Sequence, residues 1–126
     1  MRFVLDAGAL IALERNDAAM WERFKIARLA GSPPVSHGGV IAQVWRGRGP
    51  RHARLAHALE SIDIRGLDDS LGRKVGELLA KVRRNDVVDA AIVLIANDGD
   101  QILTSDPYDL APLARAADLD VEIIAV

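Results

Sequence analysis

The sequence predicts a three-layer α/β/α domain, in which a parallel sheet of about five strands lies between helices. Short β-prone runs alternate with longer segments of helical periodicity along the whole chain. Because helices separate the successive strands, the strands are expected to run parallel, with helices on both faces of the sheet. A length of 126 residues is ordinary for one domain. We therefore interpret residues 1–126 as a single domain.

Each element follows from local residue chemistry. The first strand ends at Asp6, and the small residues that follow it indicate a tight turn into a helix. Asn16 and Asp17 are expected to cap a second helix. The apolar stripe of that helix comprises Met20, Phe24, Ala27 and Leu29. The predicted strands are residues 2–5, 35–36, 62–64, 101–104 and 121–126. The predicted helices are two between Gly8 and Gly31, then residues 38–46, 51–60, 67–83, 86–97 and 106–117.

Residues 86–97 are ambiguous, since seven consecutive apolar residues fit either a buried strand or a helix buried on nearly all sides. We predict a helix. The segment is about twelve residues long, opens with the capping residue Asp86 and closes at Asn97, Asp98 and Gly99, which are typical of a helix end and turn.

Charge is strongly segregated along a chain whose formal net charge is only −2. Residues 23–84 carry thirteen basic and five acidic side chains, whereas residues 85–126 carry one basic and nine acidic side chains. No carboxylate occurs in residues 23–59. The basic middle and the acidic C-terminal part are therefore expected to have different roles.

Several classes of protein are excluded by composition. Cysteine is absent, which excludes a disulfide framework and a cysteine-ligated zinc site. No secretory signal is visible, and the longest aliphatic run, residues 90–96, is far too short to span a membrane. We expect a cytoplasmic protein with no membrane partner.

Carboxylates stand at the ends of two predicted strands. Asp6 follows the first strand, Asp106 follows the strand at 101–104, and Asp109 lies one helical turn further on. If those strands are neighbours, they lie ~5 Å apart and the carboxylates can converge. Asp86 and Asp89, spaced i, i+3, share one face at the start of a helix that is otherwise almost wholly apolar.

Helix capping is the simpler role for Asp6, Asp86 and Asp106. Asp89 is harder to explain in that way, because it lies past the cap among residues that must be buried, and a lone buried carboxylate is costly. Carboxylates at ~4 Å repel one another by about 4 kcal/mol per pair at an effective dielectric constant of ~20, so a cation is expected among them. Oxygen ligands without cysteine favour Mg²⁺ or Mn²⁺.

Three segments together resemble the PIN-domain family over essentially the whole chain. They are Val-Leu-Asp6-Ala-Gly-Ala-Leu-Ile-Ala-Leu near the start, Asp86-Val-Val-Asp89-Ala-Ala-Ile-Val-Leu-Ile-Ala in the centre, and Ile-Leu-Thr-Ser-Asp106-Pro-Tyr-Asp109-Leu late in the chain. Length and order are similar to those of the VapC-type toxins of type II toxin–antitoxin pairs. The segment Val40-Ile-Ala-Gln43-Val-Trp-Arg46-Gly resembles the helix that carries the second acid of that family.

The resemblance implies a Mg²⁺- or Mn²⁺-dependent ribonuclease. Its catalytic and metal-binding acids would be Asp6, Asp89 and Asp106, with Asp109 as a further ligand or a supporting group. It also implies a homodimer and an antitoxin bound along grooves between the early helices. The apolar residues that those helices offer are Leu10, Leu13, Met20, Trp21 and Phe24.

One position departs from the family pattern, which has Glu where this chain has Gln43. A glutamine can coordinate through its carbonyl oxygen, but it supplies no charge and cannot act as a base. Metal affinity or activity is therefore expected to be reduced. As a hypothesis, Asp86 supplies the missing charge; otherwise Asp86 is only a cap and Gln43 only a structural amide.

Arginines cluster around the break at residues 47–50, beside Gln43. Arg46, Arg48 and Arg51 are the candidate RNA-binding residues, because guanidinium groups match phosphate oxygens and a positive rim would attract a polyanion. Solvated surface arginines are the simpler alternative. The three histidines show no metal-ligand pairing and are expected to be structural or exposed.

Four functions compete for this sequence. A ribonuclease toxin is the first, and a catalytically weakened PIN module that binds RNA or antitoxin without efficient cleavage is the second. A phosphotransfer enzyme or receiver domain is disfavoured, because Asp6 has no second Asp two residues later and no Lys follows the last strand. A purely structural domain leaves Asp89 unexplained.

Overall fold

The computed structural model describes residues 1–126 and confirms the predicted three-layer architecture. Five strands form one sheet in the order β3-β2-β1-β4-β5, and every neighbouring pair is parallel. The strands are β1 (Phe3–Leu5), β2 (Val35–His37), β3 (Asp63–Arg65), β4 (Gln101–Thr104) and β5 (Glu122–Ala125). The helices are α1 (Ala7–Glu14), α2 (Ala18–Leu29), α3 (Gly38–Val44), α4 (His52–Leu59), α5 (Asp69–Val82), α6 (Val87–Leu94) and α7 (Pro107–Ala116).

The ambiguous apolar segment is a helix, as predicted. Four consecutive residues of α6, from Ala90 to Val93, are buried. This burial on nearly all sides explains why the sequence of the helix is continuously apolar. It packs against α5, α7 and β2. Asp86 caps its N-terminus, since Asp86 Oδ1 accepts a hydrogen bond from the Asp89 N–H at 3.0 Å.

The central strands β1 and β4 carry the core. Val4, Leu5, Ile102 and Leu103 are fully buried, because parallel strands in the middle of such a sheet are covered by helices on both faces. The edge strand β3 is exposed throughout. The sheet is therefore buried at its centre and exposed along its β3 edge.

Some expected boundaries and faces are wrong. Helix α3 ends at Val44 and not at Arg46, because Trp45 adopts an extended backbone with ψ of 127°. Leu29 does not belong to the buried stripe of α2, since it is 79% exposed at the last position of the helix. Met20, Phe24 and Ala27 are buried as predicted.

Most of the apolar residues that were expected to line an antitoxin groove on the early helices are buried. Leu10, Leu13, Met20 and Phe24 are each at most 1% exposed, so they belong to the core. Trp21 is half-buried, packs edge-on against Phe24 and donates its indole N–H to the Leu13 carbonyl at 3.0 Å. A partner that docks on α1 and α2 must contact other residues.

A buried ion pair ties the start of β1 to the turn before β4. The Asp100 carboxylate accepts hydrogen bonds from the backbone N–H of Arg2 at 2.9 Å, from the Arg2 guanidinium at 3.2 Å and from the Asn97 N–H at 2.8 Å. Because these donors satisfy the carboxylate, it can be buried at a modest cost. Asp100 is therefore structural, and it lies at the opposite end of β4 from Asp106.

No helix in the structure has the length and apolar character needed to cross a membrane.

Candidate active site

The ends of β1 and β4 bring two of the predicted acids together. The two strands are direct neighbours, with Leu5 paired to Leu103, and the Asp6 N–H donates to the Leu103 carbonyl at 3.0 Å. Asp6 and Asp106 therefore leave the sheet at the same edge. This is the position where ligands bind in open parallel sheets.

The hydroxyl of Thr104 links these two positions. Thr104 Oγ1 donates to Asp6 Oδ2 at 2.7 Å and accepts from the Asp106 N–H at 3.0 Å. Thr104 is fully buried, and Asp6 is 5% exposed. One hydroxyl thus fixes the Asp6 carboxylate and the backbone at Asp106. Asp6 and Asp106 each begin a helix, yet neither side chain makes a capping hydrogen bond, so both carboxylates are available for another role.

Asp89 lies in the middle of the acidic residues. Burial raises its pKa to about 7, and the negative charges of Asp86, Asp6, Asp109 and Asp106 add to this effect, in that order of size. The other four side chains therefore lie within electrostatic range of Asp89. The structure therefore brings together the acids singled out in the sequence, which we call the acidic cluster: Asp6, Asp86, Asp89, Asp106 and Asp109.

The members of the acidic cluster differ in exposure. Asp6 is buried and Asp89 is half-buried, whereas Asp86, Asp106 and Asp109 are exposed. Asp6 and Asp89 are therefore less accessible to solvent than the other three acids. Arg84 donates to the backbone carbonyl of Asp109 at 2.8 Å, which joins the end of α5 to the first turn of α7.

His37 positions the first turn of α6. Its ring, 1% exposed, lies between two backbone groups: Nδ1 accepts from the Gly39 N–H at 3.1 Å, and Nε2 donates to the Val88 carbonyl at 3.2 Å. This pair of bonds requires the neutral ring with its proton on Nε2. Burial lowers the pKa of His37, while the bond to Val88 and the charge of Asp6 act in the opposite direction. His37 is structural, as expected, and it holds the residue next to Asp89.

Gly8 permits α1 to approach the turn after β4. A Cβ at Gly8 would lie 2.6 Å from Ser105 Oγ and 2.8 Å from the Ser105 backbone N. Any side chain here would separate α1 from the turn that carries Asp106. Gly8 is thus required by the contact between the two acid-bearing segments.

Gln43 lies on the exposed surface of α3, and its side chain makes no hydrogen bond. Its backbone carbonyl accepts from Arg46 at 3.1 Å. Arg46 also donates to the carbonyls of Ala42 and Trp45, so this guanidinium caps the end of α3. Arg48 and Arg51 are exposed, and the structure gives them neither an ion pair nor a side-chain hydrogen bond.

The acidic cluster suits a hard divalent cation in the chemistry of its donors. It offers only oxygen ligands, and no basic side chain contributes to the pKa of Asp89. The side chains are nevertheless not drawn into one coordination sphere, since no three His, Asp or Glu side chains in the structure are arranged to enclose an ion. The donors fit Mg²⁺ or Mn²⁺ in kind, and binding would require the side chains to rearrange.

A solved structure of VapBC2 from Rickettsia felis shares this architecture. In that structure VapBC2 is bound to a DNA fragment from its promoter. The alignment covers 98% of this chain and 98% of that chain, with a TM-score of 0.69 and 12% sequence identity. The fold is PIN-like. At 12% sequence identity, the likeness concerns the PIN-like fold and not the chemistry of the site. No protein-family model matches the sequence, and no curated protein matches it.

Three residues that support the acidic cluster were not singled out as functional from the sequence. Thr104 was visible only as the last residue of a strand before an acid, His37 only as a histidine after a short strand, and Gly8 only as a turn residue. The sequence signal that could have identified them is their position, since all three lie at the carboxyl edge of the sheet. Their roles depend on contacts with residues far away in the sequence, which no local pattern reveals.

Proposed function

We propose that this chain is a Mg²⁺- or Mn²⁺-dependent endoribonuclease, with its active site at the acidic cluster. The observation that supports the proposal is the convergence of Asp6 and Asp106 at the carboxyl ends of the neighbouring strands β1 and β4, joined through Thr104. Asp89 adds to it, because burial and the acids around it raise its pKa and no basic side chain contributes to that shift. A structural role gives no reason to gather charge in this way. A divalent cation and a phosphate-containing substrate do give one.

Asp6, Asp89 and Asp106 would hold the cation, with Asp109 as a further ligand and an additional oxygen from Asp86 or Gln43. When bound, the metal lowers the pKa of a coordinated water and offsets the charge that builds up on the phosphate. One of the carboxylates orients the attacking water. The attack breaks the bond between phosphorus and the 3′ oxygen, leaving a 5′-phosphate and a 3′-hydroxyl.

The chain's own contacts keep these acids in place before substrate arrives. Thr104 holds Asp6 Oδ2 and leaves Asp6 Oδ1 without a protein donor. His37 fixes the backbone at Val88 and therefore the start of the helix that carries Asp89. Such preorganisation reduces the rearrangement that binding requires.

RNA is the proposed substrate because the same domain combines the acidic cluster with a strongly basic middle segment. Arg46, Arg48 and Arg51 follow α3, and the positive charge of residues 23–84 would attract a polyanion that the acidic cluster alone would repel. Of the three arginines, Arg48 and Arg51 are free to contact phosphate, whereas Arg46 would have to leave its capping position.

The biological role we propose is that of a toxin, acting in the cytoplasm as a homodimer and held inactive by an antitoxin. The fold shared with VapBC2 supports a VapB-like partner for this chain. A toxin of this kind should arrest growth on expression, and a small protein encoded next to it should relieve the arrest. Growth that continues, with active nuclease present in the cells, would point to a housekeeping nuclease instead.

A second candidate is a weakened module that binds RNA or antitoxin and cleaves poorly. The exposed, unbonded amide of Gln43 favours it, because no carboxylate occupies that position. A receiver domain is not supported. Receiver domains have the sheet order 2-1-3-4-5, whereas the order observed here is 3-2-1-4-5.

Cleavage of a structured RNA tests the proposal. Wild type should cleave with Mg²⁺ or Mn²⁺ and be inactive in EDTA, and Asp6→Asn and Asp89→Asn should each reduce the rate by about a hundredfold or more. Asp120→Asn, at an exposed acid outside the cluster, is the matched control and should cleave as wild type does. Cleavage that persists in EDTA, or full activity in both cluster variants, would overturn the proposal.

A further inference from the structure

The loop between α3 and α4 borders a cleft of about 350 Å³ that is unlike the acidic cluster. We call it the arginine cleft. Its polar lining consists of Glu14, Arg46, Arg48, Arg51 and His52. Two of its arginines, Arg48 and Arg51, have no partner in the protein, so the cleft presents two free guanidinium groups.

The other arginines of this region have structural roles. Arg46 caps α3 through three backbone carbonyls, and Arg54 donates to the Glu14 carbonyl at 2.8 Å, which fixes α4 against the end of α1. These bonds hold the walls of the cleft in place. Arg48 and Arg51 are therefore positioned by a braced loop and are not needed to brace it.

An aromatic residue adjoins the cleft. Trp45 packs edge to face on His52, with ring centroids 4.3 Å apart, and 37% of Trp45 remains exposed. Trp45 is next to the capping Arg46, and its indole nitrogen lies near Gly47. An exposed aromatic surface beside free guanidinium groups matches the two parts of a nucleotide, since a base stacks on the ring and the phosphate binds the arginines.

The cleft is separated from the acidic cluster along α1. Asp6 precedes the first residue of α1, and Glu14 is its last, so the helix places them about 12 Å apart along its axis. A nucleotide in the cleft would belong to the same strand as the reacting phosphate but would not be the reacting nucleotide.

We propose that the arginine cleft binds one unpaired nucleotide of an RNA strand, with the base on Trp45 and the phosphate on Arg48 and Arg51. This inference rests on the proposed function for its substrate class and adds a preference for single-stranded RNA. A base within a duplex is stacked between its neighbours and has no free face to offer Trp45. The cleft therefore selects unpaired segments.

Binding in EDTA tests the inference without cleavage. The probes are a fluorescein-labelled twelve-nucleotide oligouridine and the same strand annealed to oligoadenosine. The single strand should bind more tightly than the duplex, and Trp45→Ala should weaken its binding by roughly tenfold, within the range for loss of one stacked base. Trp45→Phe should restore most of the affinity, which a merely structural role for Trp45 does not predict.

The arginines have their own control. Arg48→Ala and Arg51→Ala should each weaken binding and reduce the slope of log affinity against log salt by roughly 0.7, as expected for one lost phosphate contact on a single strand. Arg28→Ala removes an exposed arginine on α2 and should change neither quantity. In 5-iodouridine-substituted RNA, photocrosslinks should map to Trp45.

The outcomes separate this inference from the proposed function. Loss of metal-dependent cleavage with the binding pattern intact would contradict the nuclease and leave the cleft supported. Equal binding of duplex and single strand, or unchanged affinity in Trp45→Ala, would overturn the cleft. The same conclusion would follow if Arg48→Ala and Arg51→Ala behaved like Arg28→Ala.

Discussion

Thr104 Oγ1 donates a hydrogen bond to Asp6 Oδ2 at 2.7 Å, across the two central strands of the sheet. The same oxygen accepts from the Asp106 N–H. The relationship sets the geometry of the carboxyl edge, because it couples the deepest acid of the cluster to the turn that carries another.

Removing this hydroxyl should destabilise the protein and misplace Asp6. Thr104→Val keeps the shape of the side chain but leaves the Asp6 carboxylate without its donor, at a cost of about 1–3 kcal/mol. Thr104→Ser keeps the hydroxyl and should cost less. Urea unfolding measures the free energy, and equal stability of the Val and Ser variants would show that the bond contributes little.

The raised pKa of Asp89 predicts a pH dependence of stability in metal-free protein. With a folded-state pKa of about 7 against an ordinary value of 3.8, the folded state holds a proton that the unfolded state has lost between those values. Stability contributed at Asp89 is therefore highest below about pH 4 and falls as pH rises towards 7. Above pH 7 the full penalty of the charge is present.

Asp89→Asn should remove that penalty. In EDTA the variant should melt at a higher temperature than wild type at pH 8, and the difference should shrink towards zero at pH 4. Asp120→Asn, at an exposed acid, should follow wild type at both values. A variant less stable than wild type at pH 8 would show that the Asp89 charge is compensated in the folded protein.

A methyl group at position 8 should separate α1 from the turn after β4. Gly8→Ala is expected to cost about 1–3 kcal/mol, as for other overpacked sites, because its Cβ would meet the backbone as well as the side chain of Ser105. The control is Gly76→Ala on α5, where the Cβ meets nothing within 4 Å and helix propensity predicts a gain of about 0.5–1 kcal/mol. Thermal melts of the two variants should therefore shift in opposite directions.

Restoring an acid at position 43 should strengthen metal binding. Gln43→Glu adds a carboxylate on the helix that carries the second acid in the resembling family, and we expect Mn²⁺ affinity to increase by about tenfold. Ser70→Asp adds the same charge at an exposed site away from the cluster and is the control. Calorimetric titration with Mn²⁺ measures both affinities. Equal affinity of the two variants would count against a metal-binding role for position 43.

The fold could be predicted from the sequence because its signals are local. Short β-prone runs, with alternation at residues 62–64, identified all five strands. The capping residues Asp17 and Asp86 start α2 and α6 as expected. The errors lie where tertiary contacts decide. The length of α3 depends on Trp45, which turns away to pack on His52, and no periodicity signals that contact.

The placement of the acids could be predicted from the sequence, but the residues that hold them could not. Asp6 and Asp106 follow from the rule that parallel strands place their carboxyl ends at one edge, and Asp89 follows from the cost of burying a charge. Thr104 hydrogen-bonds a residue 98 positions away in the sequence, and His37 hydrogen-bonds one 51 positions away. Partners at such separations are set by the strand order, which the sequence did not specify.

The acidic cluster as a cation site is the central claim, and an anomalous diffraction map from crystals soaked in Mn²⁺ tests it most directly. We expect a peak in contact with Asp6, Asp89 and Asp106. Its distance from Asp86 also decides the role of that residue, since an ion more than about 4 Å from Asp86 and touching Gln43 would reject Asp86 as the substitute charge. A map with no manganese peak at Asp6, Asp89 and Asp106 would contradict the account, whether or not manganese binds elsewhere on the protein.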